Sequence, residues 1–146
     1  MIPDFATFQT LATQGNIVPV YRELLADMET PLQVYARLAD GAYSFLLESV
    51  EGGEHVGRYS FIGSQPRLVF RSKDKEVTVE EGGASRTYTV ADTPVEELRR
   101  IMQRYRAVAV PGLPRFVGGA VGYLSYDAIQ FFEALPQRNR DDRNLP

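Results

Sequence analysis

Apolar residues open the chain at helical spacing. Phe5, Phe8, Leu11 and Ala12 share one face of a helix over residues 4–14, and Gly15-Asn16 is its stop signal. Ile17 to Tyr21 reads as a strand, with Pro19 favouring an edge position. In "ETPLQVYARLADG", Thr30 can cap a second helix and Pro31 suits its first position. Leu32, Tyr35, Leu38 and Ala39 form the apolar stripe, and Gly41 closes it. The period then switches from helix to strand. Tyr43–Ser49, Arg58–Ile62, Arg67–Arg71, Glu76–Glu80 and Arg86–Val90 are short alternating runs. Gly52-Gly53, Ser64-Gln65-Pro66, Lys73-Asp74-Lys75 and Gly82-Gly83 separate them, as in an antiparallel meander.

A third helix begins at "DTPVEELRRIMQRYRA". Thr93 caps it, Pro94 takes the first position and Glu96 completes a capping box. Val95, Leu98, Ile101, Met102 and Tyr105 line its apolar face. "RFVGGAVGYLSYD" predicts a glycine-interrupted apolar strand, and Asp127 to Leu135 a last short helix with Asp127 as its cap, stopped by Pro136. The fold class expected is α+β, an antiparallel meander with helices packed on it. It occupies residues 1–136, and the polar stretch 137–146 reads as the start of a linker.

Composition narrows the function. The 146 residues are 44% hydrophobic and 24% charged, ordinary for one globular domain. A net charge of -3 with scattered basic residues gives no footprint for nucleic acid. The chain has no cysteine, which excludes disulfides and thiolate metal sites and agrees with a cytoplasmic location. No window approaches the about 18 apolar residues of a membrane span, and the first residues lack a signal-peptide pattern.

Catalytic constellations are scarce. The single histidine, His55, stands alone in a glycine-rich loop and reads as a solvated side chain. Gly118-Gly119-x-x-Gly122 lacks the Lys-Ser/Thr of a phosphate loop, and its glycines read as room for a neighbouring element. The stretch "YSFLLESVEGGEHVGRYSFIG" is more informative. Alternation sets Tyr43, Phe45, Leu47 and Ser49 on one face and Ser44, Leu46 and Glu48 on the other. Ser49 and Ser60 then become neighbours at the open end of the strand pair, register permitting. Two hydroxyls and a carboxylate beside apolar walls suit a zwitterionic amino acid with a large side chain, Glu48 answering its ammonium. The other reading is a plain hairpin with a polar end. Arg58 has no assigned role beyond pairing with Glu51 or Glu54 across the loop.

"FLLESVEGGEHVGRYSFIGSQPRLVF" followed by "PRFVGGAVGYLSYDAIQFFEALP" resembles the N-terminal region of anthranilate synthase component I, a chorismate-utilising family. The resemblance spans essentially the whole chain. It implies a longer parent, a lyase built as a two-part α/β sandwich. The parent makes anthranilate and pyruvate from chorismate, with magnesium and with ammonia from a glutamine amidotransferase subunit. It also implies that chorismate and magnesium bind in a larger C-terminal part, so no catalytic residue, metal or cofactor is expected in this chain. The family's "LLES" segment forms part of a tryptophan feedback site. Leu47, Glu48 and Ser49 match it, Ser60 matches a further ligand-contacting position, and Tyr59 a neighbouring one. The other wall, with an Asn-Pro-x-x-Tyr/Phe-Met stretch, would lie in the C-terminal part. The partners expected are tryptophan, the amidotransferase subunit and that C-terminal part, with self-association of the chain in isolation. Two alternatives stay open: the matching part of aminodeoxychorismate synthase, and a free-standing amino-acid-binding domain.

Overall fold

A computed structural model of the chain describes residues 1–48 and 59–136. The fold is α+β. In chain order it comprises α1 (Phe5–Ala12), α2 (Pro31–Leu38), β1 (Ser44–Glu48), β2 (Ser60–Ser64), β3 (Leu68–Lys73), β4 (Glu76–Glu81), β5 (Ala84–Thr89), α3 (Pro94–Met102) and a 3₁₀ helix (Tyr126–Phe131). The strands divide into an antiparallel pair β1-β2 and a three-stranded sheet β3-β4-β5. The break falls at Gln65-Pro66, where Gln65 has a φ of 50° and proline offers no N–H to continue a ladder. Contacts group the residues into two compact units. One holds Met1–Arg22, Phe70–Val79 and the chain from Ser85; the other holds Glu23–Val69 and Glu80–Ala84.

The first unit has the buried core. Val77 and Val79 alternate onto one face of β4 and are fully enclosed, with Val90, Pro94, Ile101, Val108 and Ala128 also buried. On the opposite face of the hairpin, the Thr78 and Thr87 hydroxyls meet at 2.9 Å, the polar-and-apolar division the alternation predicts. The N-cap of α1 is Asp4, whose carboxylate accepts from the Thr7 N–H at 2.8 Å. That bond holds the Asp4 carboxyl below its usual pKa.

Beyond α1 the chain is fastened to residues 104–108. The Asn16 side chain donates to the Arg104 carbonyl at 2.7 Å and accepts from the Arg106 N–H at 2.6 Å. The Asn16 and Ile17 N–H groups both donate to the Arg106 carbonyl, and Val108 N–H donates to Ile17. The predicted strand over Ile17–Tyr21 does not form. Single bridges hold its two ends, Ile17 to Ala107 and Tyr21 to Ile2. Pro19 lies between them and supplies no donor with which a ladder could join the two. The predicted strand in "RFVGGAVGYLSYD" is likewise absent, and residues 115–125 are irregular.

In α3 the Thr93 hydroxyl accepts from the Glu96 N–H at 3.2 Å, but the expected return bond of a capping box is not made. Both Glu96 carboxylate oxygens instead take the Arg99 guanidinium, at 2.7 and 2.9 Å. A cation one turn away is a stronger partner than a neutral N–H. The complete box is at α2, where Gln33 N–H donates to the Thr30 hydroxyl and Gln33 Oε1 accepts from Thr30 N–H. The α3 stripe places Ile101 inside and leaves Met102 exposed. At the last helix Ser125 is the N-cap position and Asp127 lies within the first turn, so Asp127 is not the cap expected of it.

The Tyr88 hydroxyl donates to Glu97 at 2.8 Å, joining β5 to α3. Hydrogen bonds from Tyr88 and then Arg100 hold the Glu97 carboxyl below its usual pKa. Burial, followed by the bond to Glu97, pushes the Tyr88 hydroxyl up. The lowered Glu97 contributes stability that is present above the ordinary carboxylate range and is lost as pH falls through its depressed value. The raised Tyr88 contribution is lost only as pH climbs past the ordinary tyrosine range. Tyr88→Phe is therefore expected to cost about 1 kcal/mol at about pH 7, with the deficit shrinking toward about pH 3. Urea midpoints at the two pH values check this, and an equal deficit at both would refute it.

The second unit is thinner. Helix α2 packs against β1 and β2, and the Tyr35 and Ser44 hydroxyls meet at 3.0 Å in a half-buried bond. Gln65 donates to Asp40 at 3.1 Å, and Arg37 pairs with Glu29 at 2.6 Å. Among the described residues of this unit no side chain is fully buried.

Candidate functional site

The site is the end of the β1-β2 pair farthest from the Tyr35–Ser44 bond. The register sets Ser44 opposite Ser64, Phe45 opposite Gly63, Leu46 opposite Ile62, Leu47 opposite Phe61 and Glu48 opposite Ser60. Directly opposed residues share a face. One face therefore carries Ser44, Leu46 and Glu48 with Ser64, Ile62 and Ser60; the other carries Phe45 and Leu47 with Gly63 and Phe61. Burial falls along the pair. Its Ser44 end is half-buried, whereas Leu47, Glu48, Tyr59 and Ser60 are all exposed.

At this open end the Ser60 hydroxyl donates to Glu48 Oε1 at 3.3 Å. The Tyr59 and Phe61 rings lie 6.1 Å apart and are tilted by 32°, inside the range in which aromatic pairs attract. Four of the five expected residues are thus at one strand end. Leu47, Glu48, Tyr59 and Ser60 lie there, and Ser49 falls outside the described residues, as do His55 and Arg58. The structure makes Glu48 the residue opposite Ser60, where the alternation had set Ser49 as its neighbour.

A carboxylate bridged by a hydroxyl can take an ammonium or another donor, because a carboxylate accepts about four hydrogen bonds and Ser60 fills one. No basic side chain among the described residues pairs with Glu48. Among the described residues no three His, Cys, Asp or Glu side chains converge as metal ligands do. No helix among them is long and apolar enough to cross a membrane.

Alternation did not single out Gly63, which the structure sets opposite Phe45. The Phe45 ring lies over it, and a Cβ there would overlap Phe45 Cε1 and stand 2.6 Å from Cζ. The signal was present in the sequence, a lone glycine inside a strand otherwise rich in large residues.

Fold and site together describe an α+β chain with an exposed, polar strand end. Comparison with known proteins narrows this. The chain is 45% identical over 145 residues to anthranilate synthase component 1 of Acetivibrio thermocellus, covering 99% of this chain and 29% of that protein. It is 45% identical over 128 residues to component 1 of Pseudomonas aeruginosa, covering 86% of this chain and 26% of the other. It is 41% identical over 133 residues to component 1 of Synechocystis, covering 90% and 26%. The chain is thus similar to anthranilate synthase component 1 of these organisms, and it spans less than a third of the length of the proteins it matches. No family model matches it, and no solved structure does.

Proposed function

We propose that this chain is the N-terminal part of an anthranilate synthase component 1 and carries one wall of a tryptophan feedback site. The observation that carries the reading is the Glu48–Ser60 pair at the uncovered end of β1-β2, in a chain similar to component 1 over nearly its whole length. Glu48 would receive the ligand's ammonium. Ser60 and Ser49 would bond its polar ends, and Leu47 and Tyr59 would border its ring. Glu48 and Leu47 point to opposite faces of one strand, so a ligand touching both sits across the strand end. Its far side then needs a second wall, which agrees with a half-site.

The whole protein's activity follows as part of the same proposal. It would convert chorismate to anthranilate and pyruvate, taking ammonia from a glutamine amidotransferase subunit, with chorismate and magnesium held outside this chain. Tryptophan would inhibit by favouring an arrangement in which chorismate binds poorly, and only a ligand with unequal affinity for two states can do that.

The test is made in the full-length enzyme carrying this segment. A hydrogen bond to a charged group is worth about 1.5–3 kcal/mol, so Glu48→Ala should raise the tryptophan concentration for half-inhibition by about tenfold or more. Uninhibited turnover should stay close to wild type. Lost turnover with unchanged inhibition would sink the assignment. The 146-residue chain by itself should form no anthranilate from chorismate, and measurable turnover by the pure chain would contradict this.

A further inference from the structure

A two-stranded pair is marginal by itself, and its register is weakly specified unless something outside it fixes the rungs. In the second unit α2 packs on both β1 and β2. Two directional bonds add to that packing. The Tyr35 hydroxyl, which needs a partner where it is half-buried, meets the Ser44 hydroxyl at 3.0 Å at the start of β1. The Gln65 amide, one residue past the end of β2, donates to Asp40 Oδ2 at 3.1 Å, two residues past the end of α2. Ser44 and Ser64 are register partners, so the two bonds hold both strands at about the same rung. Ser44 also shares its face with Glu48 and Ser60. The helix therefore grips the pair from the face that carries the candidate site.

We propose that Tyr35 and Asp40 are positioning residues for the tryptophan site, a clamp on the register that sets Glu48 opposite Ser60. Their role in inhibition rests on the tryptophan reading of that pair. From the rung the clamp fixes, Glu48 and Ser60 follow four residues on. Four residues at about 3.3 Å each put the clamp about 13 Å from Glu48, so it acts through register and not through contact. A slip of one residue would set Glu48 opposite Phe61 or Tyr59 and move Ser60 to the other face from Glu48. Carboxylate and hydroxyl would then no longer meet. Each clamp bond names one residue on its strand, Ser44 on β1 and Gln65 beside β2, and a slip would break at least one of them.

Inhibition, turnover and melting temperature of the full-length enzyme carrying this segment separate positioning from plain stability. Tyr35→Phe is expected to raise the tryptophan concentration for half-inhibition by about threefold to tenfold, the effect of one lost hydrogen bond. Asp40→Ala should act likewise, whereas Asp40→Asn keeps an acceptor oxygen and should keep wild-type inhibition. Uninhibited turnover should be unchanged in all three. Tyr35→Phe combined with Ser44→Ala leaves neither hydroxyl orphaned. Its melting temperature should recover toward wild type while inhibition stays weak. Recovery of both would mean that Tyr35 serves stability alone, and would overturn the clamp. Wild-type inhibition in Tyr35→Phe and Asp40→Ala, where Glu48→Ala relieves it, would also overturn the clamp. Inhibition insensitive to Glu48→Ala overturns the tryptophan reading instead, and the register is then read directly. The 146-residue chain has no cysteine of its own, so cysteine pairs report which residues lie opposite. Glu48→Cys with Ser60→Cys should oxidise to a disulfide faster than Glu48→Cys with Phe61→Cys. Adding Tyr35→Phe and Asp40→Ala should cut that preference by about threefold or more. An unchanged preference overturns the clamp whatever inhibition does.

Discussion

Gly15→Ala is expected to cost about 3 kcal/mol, lowering the melting temperature by about 10 °C. A Cβ at Gly15 would overlap the Arg106 carbonyl oxygen and stand 2.8 Å from Val108 Cγ2. The first of these atoms is backbone and has no rotamer to escape into. Making room would separate Asn16 and Ile17 from Arg106, breaking part of the set of hydrogen bonds that joins them. Each bond contributes about 1 kcal/mol net, and overpacking typically costs about 1–3 kcal/mol by itself. Trimming the side-chain neighbour should not help, so Gly15→Ala with Val108→Ala remains at least as unstable as Gly15→Ala alone. Thermal unfolding of the three variants checks this. Recovery in the double variant would show that the side chain rather than the carbonyl sets the cost.

Gly63→Ala is the contrasting case, with an expected cost of about 2 kcal/mol. The obstacle is the Phe45 ring, which can move if it is made smaller. Phe45→Leu alone should also destabilise, because it removes half-buried apolar surface. Combined with Gly63→Ala, however, it should cost less than the sum of the two single changes. Such a deficit from additivity is the signature of residues in contact. Additive costs would mean that the ring does not lie over Gly63. The pair is two residues from Leu47 and Phe61 in the register, so if the proposed tryptophan site holds, Gly63→Ala should also weaken inhibition in the full-length enzyme.

The sequence was most legible where structure is local. Thr30-Pro31 and Thr93-Pro94 mark helix starts because an oxygen three residues before an N–H needs no distant partner. The strands β1 to β5 fall within about two residues of the alternating runs. Legibility ended where a second chain segment decides. Ile17–Tyr21 and residues 115–125 have strand-like side chains but form no ladder among the described residues. Glu96 was lost to Arg99, a competitor that capping rules do not weigh. The site shows the same limit. Its location at the β1-β2 end was readable, but the pairing of Ser60 with Glu48 depends on the register of the two strands, and a one-residue slip would turn Ser60 to the other face.

The Asn16 clamp has a consequence for how the chain is made. Asn16 bonds to residues 88 and 90 positions later. During synthesis at about 10 residues per second, α1 emerges about ten seconds before the segment that holds it exists. Over that interval Asn16 and Ile17 lack the Arg104, Arg106 and Val108 backbone partners they have in the finished fold. Asn16 is thus made well before the segment that secures it. A ribosome paused before Arg104 would therefore hold a nascent chain whose N-terminal helix is still open to chaperones.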